Sequence, residues 1–318
     1  MMDWTDRHCR IFHRRLTRAA VLYTEMVTAP AVIHGDRQKL LGFDAGEHPV
    51  VLQLGGSEPA KLAEASRIGE GFGYDAINLN CGCPSDRVQG GHFGACLMAE
   101  PKVVADCFAA MQAAVKIPVT IKCRIGIDDM DEFQGLQDFV TTVAAAGCKT
   151  FVVHARKAWL KGLSPKENRE IPPLNYERVH QLKNSFSDLN IILNGGMSSL
   201  RNDFFHISDL DGLMYGREAY HNPWMLTEVD PTFAGVAPPV STRREAAEVM
   251  FPYIELHLAT GAPLHHITRH MLGLYHAQPG GRMWRQILTM DGQKRGAGLE
   301  VLLKALETVE AQAAKLAA

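Results

Sequence analysis

Apolar positions recur along this chain in two rhythms. Seven short runs are continuous or alternate with period two: residues 22–26, 50–54, 76–80, 119–124, 150–154, 190–194 and 212–215. Those are the marks of strands. Stretches with helical spacing separate them, at 57–69, 102–114, 133–145, 176–183 and 200–205, and a first helix is expected over 5–20, capped by Thr5 or Asp3. Strand alternating with helix argues for a parallel sheet. Each run ends on polar residues: Glu25, Gln53, Asn80, Lys122 with Arg124, His154 with Arg156, Asn194 and Arg217. Polar ends on every strand describe the catalytic face of a (β/α)8 TIM barrel. A doubly wound sheet would gather them at one switch point.

The rhythm changes after residue 230. Pro231, Gly235, Pro238 and Pro239 read as a linker, and 243–260, 264–275, 283–288 and 299–316 read as helices. The division predicted is a catalytic α/β domain over 1–232 and a small all-helical domain over 240–318.

Composition adds limits. A 318-residue chain that is 46% hydrophobic can bury a large core. No apolar run reaches the ~20 residues of a membrane span, and the polar start, Met1-Met2-Asp3-Trp4-Thr5-Asp6, does not read as a signal peptide. Seven cysteines, an odd number without paired spacing, fit a reducing cytoplasm. A net charge of −2 is a poor footprint for nucleic acid. Three local clusters run the other way: Arg10, His13, Arg14, Arg15 and Arg18; Lys157, Lys161, Lys166 and Arg169; Arg269, Arg282, Arg285, Lys294 and Arg295.

Several constellations carry chemistry. Cys83 sits on a turn between Gly82 and Pro84, just past a strand whose Asn78 and Asn80 face away from Ile77 and Leu79. A free cysteine is often a small buried hydrophobe, but this place suits chemistry better than packing. Lys122 and Arg124 share one strand face, toward either an ion pair or a ligand. Asn194-Gly195-Gly196 and Gly216-Arg217 follow the last two strands, where barrels commonly bind phosphate. Gly69-x-Gly71-x-Gly73 precedes a strand rather than following one, so it is not a dinucleotide loop. His266 and His270 have metal spacing but no evident third ligand.

The spacing Asn80-x-Gly82-Cys83-Pro84-x3-Val88-x5-Gly94-Ala95 resembles the signature of the tRNA-dihydrouridine synthases. The continuation Ser85-Asp86-Arg87-Val88-Gln89 is similar to their A-type branch, and the resemblance covers essentially the whole chain. It implies an FMN enzyme that uses NADPH to reduce uridine to 5,6-dihydrouridine at positions 20 and 20a of the tRNA D-loop. Hydride would go to C6 and Cys83 would protonate C5. An ordinary thiol, with a pKa near ~8.5, is mostly protonated at neutral pH, as an acid must be. The resemblance further implies that Met1, Gln53, Lys122, His154, Asn194, Gly195, Gly196, Gly216 and Arg217 contact FMN. Lys122 would stabilise the reduced flavin. Asn80, Lys166, Arg169, Arg282 and Arg285 would contact tRNA, with no metal, membrane or obligate protein partner. Such enzymes have a strand ending in Ala-Pro-Met-Met where this sequence starts, so the barrel is expected to lack its first strand. Two other readings stay open: a small-molecule FMN reductase, against which the helical end domain and the Arg282/Arg285 face argue, and a tRNA-binding protein without activity, which flavin absorbance would separate.

Overall fold

The computed structural model describes residues 1–85, 88, 90–131 and 133–317. Asp86, Arg87 and Gln89, part of the A-type resemblance, lie outside them. The strands are β1 (Leu22–Thr28), β2 (Val50–Gly55), β3 (Ala76–Cys81), β4 (Val119–Arg124), β5 (Thr150–His154), β6 (Asn190–Asn194) and β7 (Gly212–Met214). They form one sheet in sequence order, β1 to β7, and every pairing from β2 onward is parallel. The order never reverses, so there is no switch point of a doubly wound sheet. Seven parallel strands with intervening helices, followed by a helical region, make the α/β arrangement of a TIM barrel with a C-terminal helical portion. Among the described residues no helix is long and apolar enough to cross a membrane.

Two compact units emerge. The larger comprises Tyr23–Phe43 and His48–Gly216. Its strands are nearly continuous apolar runs because helices cover them, as parallel sheets require. Leu52, Ile77, Leu79, Ile121, Phe151 and Ile191 are fully buried. The Pro59–Phe72 and Pro101–Ala114 helices start with proline in the first turn, where no N–H is needed. The glycine triplet proves to be packing and capping. A Cβ on Gly69 would sit 2.6 Å from Leu52, and Gly73, at φ +95°, ends the helix.

The smaller unit comprises Met1–Leu22, Asp44–Glu47 and Arg217–Ala318. Its first helix is shorter than the sequence suggests, Arg7–Arg14, and the cap is Asp6, which accepts from the amides of His8 and Cys9. The helix stops because the next turn is pinned elsewhere. Buried Asp230 accepts from Thr17 Oγ1 and from the amides of Arg18 and Ala19. Arg14 donates to the carbonyls of Thr17, Arg18 and Ala20. Pro252 interrupts the run over 243–260, leaving helices Arg243–Glu248 and Phe251–Ala259. The run over 264–275 is helical only across His265–Thr268. The Gly281–Met290 helix is anchored by fully buried Trp284, whose Nε1 donates to the Met271 carbonyl at 2.9 Å.

The early basic cluster is largely interior. Arg10 pairs with buried Glu47 at 2.6 Å, His13 packs beside Cys9, and Arg14 is buried on backbone carbonyls. Only Arg15 and Arg18 of the five reach farther toward solvent. Charge clustering in sequence therefore overstates the basic surface here.

Candidate active site

The site is built at the end of β3. Asn78 and Asn80 alternate away from the apolar face and meet Gln53 of β2. Gln53 Nε2 donates to Asn78 Oδ1 and Asn80 Nδ2 donates to Gln53 Oε1, both at 2.9 Å. Asn78 Nδ2 continues the chain to Thr120 Oγ1 of β4, again at 2.9 Å. This amide ladder leaves Asn80 little rotational freedom. Its Oδ1 accepts the amides of Gly82 (3.0 Å) and Cys83 (2.9 Å), an Asx turn that bends the chain out of the strand.

The remaining signature positions close the same loop. The Cys83 carbonyl accepts the Ala95 amide at 2.9 Å. Gly94 has φ +76°, and a Cβ there would run into Val88 and lie 2.6 Å from the Cys83 carbonyl oxygen. Asn80, Val88, Gly94 and Ala95 thus all bear on where Cys83 stands. Cys83 is partly exposed, with Sγ 3.6 Å from Ser85 Oγ. Cys81, two residues earlier, is fully buried, and that burial pushes its thiol well above the usual range. Of the two, only Cys83 is placed for chemistry.

Lys122 of β4 is in register with Asn80. Its Nζ donates to Asn194 Oδ1 of β6 at 2.9 Å, and Asn194 Nδ2 is itself tied to the Met214 carbonyl at 2.7 Å. Burial pulls the ammonium down to about 8, with Arg124 adding repulsion. Among the described residues no carboxylate pairs with Lys122, so the ion-pair alternative is not what the fold builds. Arg124 diverges from its strand-mate and is bonded to backbone carbonyls. His154 of β5 stands in register between Arg124 and Asn194. Gly195 (φ +108°) approaches it so closely that a Cβ would lie 3.2 Å from His154 Cε1. Gly196 also has positive φ, +70°, and Tyr176 OH holds the Gly195 carbonyl at 2.8 Å.

The other expected positions fall in both units. Gly216 closes the larger unit, and Arg217 opens the Arg217–His221 helix of the smaller one. Lys166 and Arg169 are exposed on a single 3-10 turn around buried Asn168. Met1 is folded into a turn of the smaller unit, its ammonium on Thr5 Oγ1 at 2.6 Å. Arg282 and Arg285 are exposed on one face of the Gly281–Met290 helix. His270 is buried against Asp6 and Tyr220, while His266 meets the His265 ring edge-on. The two do not converge on a ligand.

The sequence profile described as "Dihydrouridine synthase (Dus)" matches residues 1–314. The chain belongs to the dihydrouridine synthase family. It is accordingly an enzyme, an oxidoreductase. Proteins named tRNA-dihydrouridine(20/20a) synthase are similar to it along nearly their whole length. The one from Xanthomonas campestris pv. campestris is 54% identical over 318 residues, 100% of this chain and 94% of its own. Those from Vibrio parahaemolyticus and Yersinia pestis are 57% and 56% identical over 310 residues, 97% of this chain and 95% and 90% of theirs.

Dihydrouridine synthases are flavin enzymes, and the residues here fit a flavin. A cation near the ends of the strands lacks an anionic partner among the described residues, and a positive-φ glycine pair lets backbone approach a phosphate. Sequence reasoning missed one residue of this region and the partners of another. Asn168, which no sequence pattern singles out, is the buried hub of its loop. Arg124 was seen to face the right way, but its partners are carbonyls, which leave no trace in a sequence.

Proposed function

We propose that this dihydrouridine synthase reduces uridine to 5,6-dihydrouridine in the D-loop of tRNA, at positions 20 and 20a, in the cytoplasm. FMN is the bound flavin and NADPH its reductant. The catalytic barrel is assigned to residues 1–232 and tRNA binding to the helices of 240–318, although compactness groups Met1–Leu22 and the residues from Arg217 onward with those helices. The observation that carries this reading is the Asx turn that holds partly exposed Cys83 beside Asn80, in register with Lys122.

FMN, when bound, supplies the hydride that adds to C6 of uracil. Lys122 holds positive charge beside it, oriented by Asn194, and Gln53, His154, Gly195, Gly196, Gly216, Arg217 and Met1 contribute to its binding. The base has to leave its stack to reach this site. Asn80 has one Nδ2 hydrogen on Gln53 and keeps the other for the nucleotide. Cys83 Sγ gives its proton to C5 and regains one from solvent, so each uridine reduced consumes an NADPH and a proton. Lys166, Arg169, Arg282 and Arg285 bind phosphates of the tRNA. The test is incubation of protein with FMN, NADPH and unmodified tRNA, then nucleoside analysis by position. Dihydrouridine at 20 and 20a is the expected result; unchanged uridine at both positions, with the flavin reduced, overturns the reading.

A further inference from the structure

Arg124 is a cation that only 4% of its surface exposes, at the end of β4. Its Nε donates to the Gly82 carbonyl at 2.9 Å. Its Nη1 donates to the carbonyls of Lys157 (3.0 Å) and Asn168 (2.9 Å). No carboxylate pairs with it among the described residues. Burying a cation without an anion is costly, and burial pulls this guanidinium down to about 10 against the opposing influence of Cys83. An aliphatic side chain would fill a strand end more cheaply. What an aliphatic chain cannot do is hold three carbonyls from two loops in one fixed plane. Lysine cannot either, because it presents a single point of donors where arginine presents a rigid fork.

The two loops so joined are the ones the reaction uses. Gly82 precedes Cys83. Asn168 lies between Lys166 and Arg169 and is the hub of its own loop. Its Nδ2 faces the carbonyls of Trp159, Leu163 and Ser164, and its Oδ1 accepts the Trp159 amide at 2.7 Å. We propose that Arg124 is a positioning residue that ties the Cys83 turn to the Lys166/Arg169 loop, so that the placement of the thiol and the order of that loop are one coupled property. The chain of contacts runs from Asn168 through Arg124 to Gly82 and Cys83. The functional meaning of the coupling rests on the tRNA reading above, but the coupling itself is testable without RNA.

The experiment is amide hydrogen exchange on the FMN-loaded enzyme, read in peptides spanning 76–85, 157–170 and, as control, 101–114. Asn168→Asp sets a carboxylate against three carbonyls and opens its own loop. Exchange in 76–85 is expected to rise about tenfold as well, while 101–114 stays as in wild type. In an Arg124→Lys background the 76–85 peptide already exchanges fast, and adding Asn168→Asp speeds it no further. That non-additivity is the signature of a shared path. Arg124→Lys also lowers kcat for dihydrouridine formation while flavin reduction by NADPH keeps its wild-type rate, a split that general loss of structure would not give. If Arg124→Lys does not fold, Asn168→Asp alone decides, because wild-type exchange in 76–85 alongside an opened 157–170 overturns the proposal. Additive effects in the double variant overturn it equally. Failure of the tRNA reading would appear instead as wild-type exchange coupling without dihydrouridine.

Discussion

Asn80 Oδ1 lies 2.9 Å from the backbone nitrogen of Cys83, while the same side chain's Nδ2 is held by Gln53 at 2.9 Å. One amide therefore anchors the turn bearing the thiol to the neighbouring strand. Asn80→Ala leaves the amides of Gly82 and Cys83 without their acceptor, at a cost of roughly 1–3 kcal/mol in stability. The thiol also drifts, and a displacement of about 1 Å at a reacting group costs on the order of 10²-fold in rate. Asn80→Asp keeps the acceptor and loses the donor, so it should hold the turn better than alanine. Single-turnover dihydrouridine formation, with melting temperature followed in parallel, ranks the variants; equal rates for wild type and Asn80→Ala would remove the turn from the mechanism.

The two cysteines of the C-x-C segment should separate cleanly. Cys83→Ala is expected to bind FMN and accept hydride from NADPH normally, yet to form almost no dihydrouridine, because in the proposed reaction only protonation at C5 uses the thiol. Cys81→Ala removes one buried heavy atom and should cost about 1 kcal/mol of stability while keeping activity. Stopped-flow flavin reduction and nucleoside analysis on both variants check this. Comparable loss of product in the Cys81 variant would mean the wrong thiol has been chosen.

The register of polar residues at the strand ends was legible in the sequence because alternation in strands exposes it directly. Gln53, Asn80, Lys122, His154 and Asn194 needed no tertiary knowledge to be placed on one end of a sheet. The failures share a cause, which is dependence on partners far away in sequence. The first helix stops at Arg14 because Asp230 captures the following turn, and nothing near residue 14 announces that. Arg10 and Arg14 read as surface charge, yet Glu47 and a set of carbonyls draw them inward. The signature around Cys83 was recognised as a pattern; the bonds to Gly82, Cys83 and Ala95 give its physical reason.

Lys122 gives a pH dependence with a definite sign. In the flavin-free protein its folded-state value of about 8 lies below the ordinary 10.5. Below about 8 the lysine is charged in both states, and the folded state bears the whole burial cost. Between those values the unfolded chain binds the proton that the folded one has lost, so this residue's contribution to stability rises with pH and levels off above 10.5. Lys122→Met removes that slope. The difference between the urea midpoints of the two flavin-free proteins should therefore stay nearly constant below about pH 8 and shift in favour of wild type as pH climbs through about 8 to 10. Parallel curves would show that Lys122 titrates normally.

Arg282 and Arg285 stand three apart on the exposed face of a helix held down by Trp284. Neither forms an ion pair among the described residues, so their charge is free for a polyanion. Because Trp284 fixes the opposite face, alanine at both positions should leave the helix in place. A phosphate contact releases counterions on binding, so each one lost lowers the dependence of log K on log salt by about 0.7 to 0.9. The double variant Arg282→Ala with Arg285→Ala should bind unmodified tRNA more weakly and show a salt slope reduced by roughly 1.4 to 1.8. Flavin content and flavin reduction by NADPH should match wild type, which separates lost RNA binding from damage to the barrel. Filter binding at several salt concentrations measures both affinity and slope. Wild-type affinity with an unchanged slope would show that tRNA does not reach this helix.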